Sequence, residues 1–125
     1  EKEREKPRDE SWLLPNIRVR VITKKLGSHY KEKGVVVDVT SIGATLQLAS
    51  GKLLDRVPEK YLETALPKPG GFCVVLTRDQ HWQTKGVLIE RTSHQAILQE
   101  TENQDVLTLP LDDIAEWCGP IDDGY

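Results

Sequence analysis

The chain has 125 residues, 38% of them apolar and 30% charged, with a formal net charge of −3, a balance that suits one globular domain or two very small ones with a modest core. No apolar run approaches the roughly 20 residues that cross a bilayer, and the opening "EKEREKPRDE" is the reverse of a signal peptide, so neither a membrane nor secretion is expected. Cys73 and Cys118, 45 positions apart, read as ordinary reduced thiols. The absence of Met and the charged opening lead to the expectation of a piece of a longer protein.

In chain order, residues 1–10 form a charged linker. The first strand is predicted over 17–22, "IRVRVI", followed by a polar loop rich in lysine, then Gly34 and a second strand over 35–39. Turn signals at Ser41-Ile42-Gly43 and Ser50-Gly51 bracket the alternating "ATLQLA", and "VPEKYLE" predicts a short 3₁₀ or α turn with Pro58 at its first position and carboxylates on its N-terminal dipole. "TALPKPGG" is a stiff, short connection that should hold the segments on its two sides in a fixed relation. The pattern then returns: strands over 72–76 and 87–90, turns at 91–94 and 102–104 around "QAILQE", a second Pro turn in "LPLDDIAEW", and an acidic tail over 121–125.

The return is a repeat. A shift of 52 positions lays Lys33-Gly34-Val35 on Lys85-Gly86-Val87, Ala44 on Ala96, Gln47 on Gln99, Pro58 on Pro110 and Leu62 on Ile114 without a gap. The chain thus reads as two copies of one module, over 11–66 and 67–120. Several short strands in each predict an all-β protein made of two tandem small barrels with short 3₁₀ or α turns.

The segment "IRVRVITKKLGSHYKEKGVVVDV" resembles a KOW motif, a strand, basic loop, Gly and strand, which implies SH3-like barrels. The order "SWLLPNIRVRVI", "YKEKGVVVDV", "YLETALPK", "PLDDIAEWCGP" resembles the C-terminal KOW region of the G-patch and KOW-motif family (GPKOW). The KIN family of nuclear zinc-finger proteins, which also ends in a tandem KOW pair, is the next nearest. The resemblance implies a nuclear, spliceosome-associated protein that binds RNA, with a DEAH-box helicase engaged by a G-patch outside this segment. The residues themselves show no catalytic or metal-ligand grouping, so no enzyme and no cofactor is expected. A monomer is expected. The second loop, "TRDQHWQTKG", departs from the KOW pattern in lacking its glycine and most of its basic residues.

Charge is divided unevenly. Residues 11–66 carry nine Lys and Arg against five acids, and 67–125 carry four against ten. Arg18, Arg20, Lys24, Lys25, Lys31 and Lys33 crowd one loop and its flanks, opposed by Glu32 alone, and phosphate contacts of this kind dominate nucleic-acid affinity. His29 and Tyr30 lie among them, and an aromatic ring beside a basic groove offers a face for an unpaired base. These eight residues are the candidate contacts for single-stranded RNA. The alternative is a solvated loop with the arginines on the outer face of an alternating strand and Tyr30 packed on its own barrel.

The second copy reads as a protein-docking unit, with Trp82, Asp112 and Asp113 as its candidate residues. Its rival reading makes the whole chain a protein-interaction module for a peptide or methylated tail, since Trp12, Trp82 and Trp117 could form an aromatic cage; Trp12 and Trp117 sit beside apolar residues and read as packing instead. "WCGP" at 117–120 matches part of a thioredoxin-type site but has Ile121 where the second Cys would stand. His29, His81 and His94 show no metal-ligand spacing, and Asp112-Asp113 and Asp122-Asp123 read as solvated neighbours without the burial of a general acid.

Overall fold

The computed structural model describes residues 11–77 and 81–120; the 1–10 linker, residues 78–80 and the 121–125 tail, with Asp122 and Asp123, lie outside the described residues. The fold is all-β. In the first copy β1 (Arg18–Val21), β2 (Lys33–Thr40), β3 (Gly43–Leu48), β4 (Leu53–Val57) and β5 (Leu62–Thr64) form an antiparallel sheet in the order β4-β3-β2-β1-β5. In the second, β6 (Phe72–Val75), β7 (Lys85–Arg91), β8 (Gln95–Glu100), β9 (Val106–Pro110) and β10 (Ile114–Glu116) repeat it as β10-β6-β7-β8-β9. Short 3₁₀ turns, Glu59–Tyr61 and Leu111–Asp113, precede the last strand of each copy.

The repeat extends to irregularities. The register slips between Val36 and Asp38 in the first copy and between Leu88 and Glu90 in the second, so Val37 and Ile89 bulge out of their ladders and stay exposed. Gly34 and Gly86 lie where their strands cross a neighbour closely: a Cβ would meet the Gln47 carbonyl oxygen at 3.1 Å in one and the Gln99 carbonyl oxygen at 2.8 Å in the other. The KOW-like glycine is therefore a packing requirement of both copies. Pro58 and Pro110 differ from expectation by one step. Each is the extended N-cap of its turn, with φ of −63° and −60°, rather than its first helical residue, a place where the missing N–H costs nothing.

Strand β1 alternates, with Val19 and Val21 fully buried and Arg18 and Arg20 facing out. Strand β6 does not alternate, because both its faces are covered. Cys73 and Val75 join Leu88, Ala96, Leu98 and Ile114 in the core of the second copy, while Val74 and Leu76, with Ala115 of β10, enter the core built from Ile17, Val19, Val21, Val36, Leu46 and Leu62 of the first. Trp12 and Trp117 pack against that same core, as their apolar neighbours predict. Backbone bonds run across the seam as well: Cys118 N–H donates to the Asn16 carbonyl at 2.7 Å and Glu116 N–H to that of Ala65 at 2.8 Å. The copies are packed on one another through a continuous apolar contact.

Candidate nucleic-acid interface

The lysine-rich loop is ordered. Residues Lys24–His29 form a 3₁₀ segment kinked at Gly27 (φ 60°, ψ −120°), and the Thr23 hydroxyl caps it by accepting from Lys25 N–H at 3.1 Å. Glu32 N–H then donates to the His29 carbonyl at 3.0 Å, with Lys31 held at φ 72°, a left-handed conformation that a non-glycine residue adopts only where its surroundings fix it. The fixing bonds run to β1: Lys31 N–H donates to the Val21 carbonyl at 2.8 Å and Val21 N–H to that of Glu32 at 2.9 Å.

On its other side β1 pairs with β5, and Ile22 N–H donates to the Tyr61 carbonyl at 2.8 Å. Because β1 lies between β2 and β5, Tyr30 and Lys31 arrive at Ile22 from one flank while Lys60 and Tyr61 arrive from the other. The result is a basic aromatic cluster. Lys24 and Lys31 hold their Nζ 5.6 and 5.5 Å from the centre of the Tyr30 ring, and Lys25 and Lys60 hold theirs 5.6 and 5.8 Å from that of Tyr61, within cation–π reach. Tyr30 is 36% exposed and Ile22 44%.

The eight residues picked from the sequence fall into separate groups. Lys24, Lys25, Tyr30 and Lys31 converge. Arg20 lies on a neighbouring cleft with its guanidinium 2.9 Å from Glu63, Arg18 donates to Glu116 at 2.7 Å, and His29 faces Glu32 at 3.1 Å. Lys33 lines the seam between copies with Arg18, Lys68 and Glu116. Lys60 and Tyr61 escaped the sequence reading. The signal that points to them is the repeat itself, since their counterparts 52 positions on are Asp112 and Asp113.

The same register puts Trp82 at the Tyr30 position and Gln83 at that of Lys31. Gln83 shares the left-handed φ, 66°, and donates its N–H to the Val75 carbonyl at 2.9 Å. The second copy thus keeps an aromatic residue, Trp82, 36% exposed, on an identical turn, and replaces the lysines around it with Gln83 and, on the 3₁₀ turn, two carboxylates. Its Lys85 is engaged elsewhere, with Nζ 4.5 Å over the Trp117 ring. Beside Trp82, His81 faces the buried Glu100 carboxylate at 3.5 Å.

The thiols are both free. Burial pushes Cys73 up to about 12. Partial burial also raises Cys118, with Arg18 opposing and Glu116 adding to the shift, the reverse of the depression that marks a nucleophilic thiol. Among the described residues, no three His, Cys, Asp or Glu side chains gather as a metal site.

Two KOW-like all-β units, packed as one body and carrying related surface turns of unlike charge, define the class as a tandem KOW module. The model of the family described as GPKOW C-terminal domain matches residues 17–119, and the chain belongs to that family. It is 35% identical to Protein MOS2 of Arabidopsis thaliana and 34% to the G-patch domain and KOW motifs-containing protein of Mus musculus, each over 96% of this chain but 27% and 26% of the relative. It is also 37% identical to the DNA/RNA-binding protein KIN17 of Mus musculus, over 61% of this chain and 20% of that protein. The chain spans about a quarter of the length of its MOS2 and G-patch relatives, and none of these names is that of an enzyme.

Proposed function

We propose that the chain is a non-catalytic RNA-binding and docking module of a nuclear pre-mRNA splicing protein, in which the first copy contacts single-stranded RNA. The observation that carries this is the convergence of Lys24, Lys25, Lys31 and Lys60 around Tyr30 and Tyr61. Ammonium groups supply the phosphate contacts that dominate affinity, and the exposed Tyr30 ring beside them, with the half-buried Tyr61 next to it, favours unpaired bases over a duplex, whose bases are already stacked. The family and the name of the KIN17 relative support a nucleic acid as ligand. Arg18 and Arg20, candidate contacts by sequence, are each committed to a carboxylate, so their share is smaller than that of the lysines.

The second copy, in this reading, docks on protein through Trp82, Asp112 and Asp113, whose carboxylates repel phosphate. Membership of a spliceosomal assembly, a nuclear location and a helicase partner engaged outside this segment are part of the same proposal and rest on the family; a monomeric state is proposed with them.

The test is the salt dependence of single-stranded RNA binding. Replacing Lys24, Lys25, Lys31 and Lys60 by Ala should weaken binding and flatten its log–log slope by up to about 0.7 for each phosphate no longer engaged, while Arg78→Ala with Lys85→Ala in the second loop changes little. Equal weakening by both sets, or no salt-dependent binding by the parent chain, would remove the division of labour.

A further inference from the structure

Tyr30 does more than edge a groove, because it stands between two clefts. One, of about 380 Å³, is lined by Arg20, Lys31 and Glu63; the other, of about 640 Å³, by Lys24, Lys25, Lys60 and Tyr61. Tyr30 and Ile22 line both, and both are open grooves rather than enclosed cavities. The shared lining is the Tyr30 ring and Ile22, Tyr61 belongs to the second groove alone, and cationic groups lie on either side, Arg20 among them paired with Glu63.

We propose that these clefts take two successive unpaired bases of an RNA strand, one on each side of Tyr30, with the second base also meeting Tyr61. The inference rests on the RNA reading above and specifies its ligand as a dinucleotide step rather than a diffuse polyanion. In the free protein the four lysines hold their ammonium groups over the two rings, and this keeps charge parked within reach of where phosphates would run. A stacked base displaces the ammonium from the ring face, and the flexible lysine stem carries the charge to the adjoining phosphate. One set of side chains thus serves stacking and charge in turn. The second copy lacks the arrangement: Trp82 stands at the Tyr30 position, but the place of Tyr61 is taken by Asp113, so the second ring and its lysines are missing.

The experiment is an abasic walk. A short single-stranded oligouridylate is bound to the chain, then the same oligonucleotide with abasic riboses stepped through it singly and in adjacent pairs, at constant phosphate number. An adjacent abasic pair should cost about a hundredfold or more in affinity, since each stacked base is worth about tenfold or more, and Tyr30→Ala should sharply reduce the difference between base-bearing and abasic strands while Tyr30→Phe preserves it. Tyr61 packs against the first core, so Tyr61→Leu, which keeps apolar volume and removes the ring face, is the matching change there. If abasic and base-bearing strands bind the parent chain equally, with salt dependence intact, the dinucleotide site is overturned and RNA binding survives as a purely ionic contact. If neither strand binds, both readings fall together.

Discussion

Arg18 on β1 donates from Nε to Oε1 of Glu116 on β10 at 2.7 Å, although 98 positions separate them. The pair clips the first copy to the second at the edge of their shared core. It is not buried, with side-chain exposures of 33% and 27%, and pairs of that kind gain little over their hydrated state. A double-mutant cycle on Arg18→Ala and Glu116→Ala should return a coupling of about 0.5–1 kcal/mol. A coupling near zero would mean that apolar contact alone holds the seam.

That apolar contact is the stronger tie. Leu76 belongs to the second copy by sequence and to the first core by packing, so Leu76→Ala should cost about 2–5 kcal/mol, as large-to-small changes in cores do. Hydrogen exchange of the variant should show protection falling in both sheets together. A fall confined to the segment after residue 67 would indicate copies that open independently.

The two repeat glycines give a graded test. An added Cβ meets backbone at 2.8 Å in Gly86 but at 3.1 Å in Gly34, and backbone cannot swing aside as a side-chain end can. Gly86→Ala should destabilise by about 1–3 kcal/mol and Gly34→Ala by less, measured by urea unfolding. The opposite order would contradict the close-crossing account.

Much of this architecture was legible. The repeat register, the Pro turns and the alternation of Arg and Val in β1 come from residue spacing, because period-2 burial writes itself into a strand. The two-sided burial of β6 was hidden, since a short apolar run such as "FCVVL" fits a strand covered on one face or on both. Four of the six residues of the basic cluster were legible, because Lys24, Lys25, Tyr30 and Lys31 lie within one loop. Lys60 and Tyr61 were marked only by their repeat counterparts Asp112 and Asp113; the placement of β1 between β2 and β5 is what brings a turn some thirty residues away to the same spot. The acidic partners of Arg18 and Arg20 were hidden by the same kind of separation.

Cys73 supplies a pH dependence. Its folded pKa is raised, by burial first, from 9.0 to about 12, so the neutral thiol is favoured in the folded state. The stability this contributes is fully present below pH 9 and is lost as pH rises from there toward 12, with a slope of up to about 1.4 kcal/mol per pH unit. The chain and Cys73→Val should therefore diverge in stability above pH 9 and run parallel below it, in denaturant titrations across that window. Parallel curves throughout would show that the thiol is not buried as described.

Whether RNA meets the first copy at the two-tyrosine cluster can be read from backbone amide shifts during titration of the labelled chain with single-stranded RNA. The largest changes should fall on residues 22–33 and on Lys60 and Tyr61, with residues 81–85, Asp112 and Asp113 nearly still. Changes centred on Trp82 and the acidic turn, or spread evenly over both copies, would contradict it.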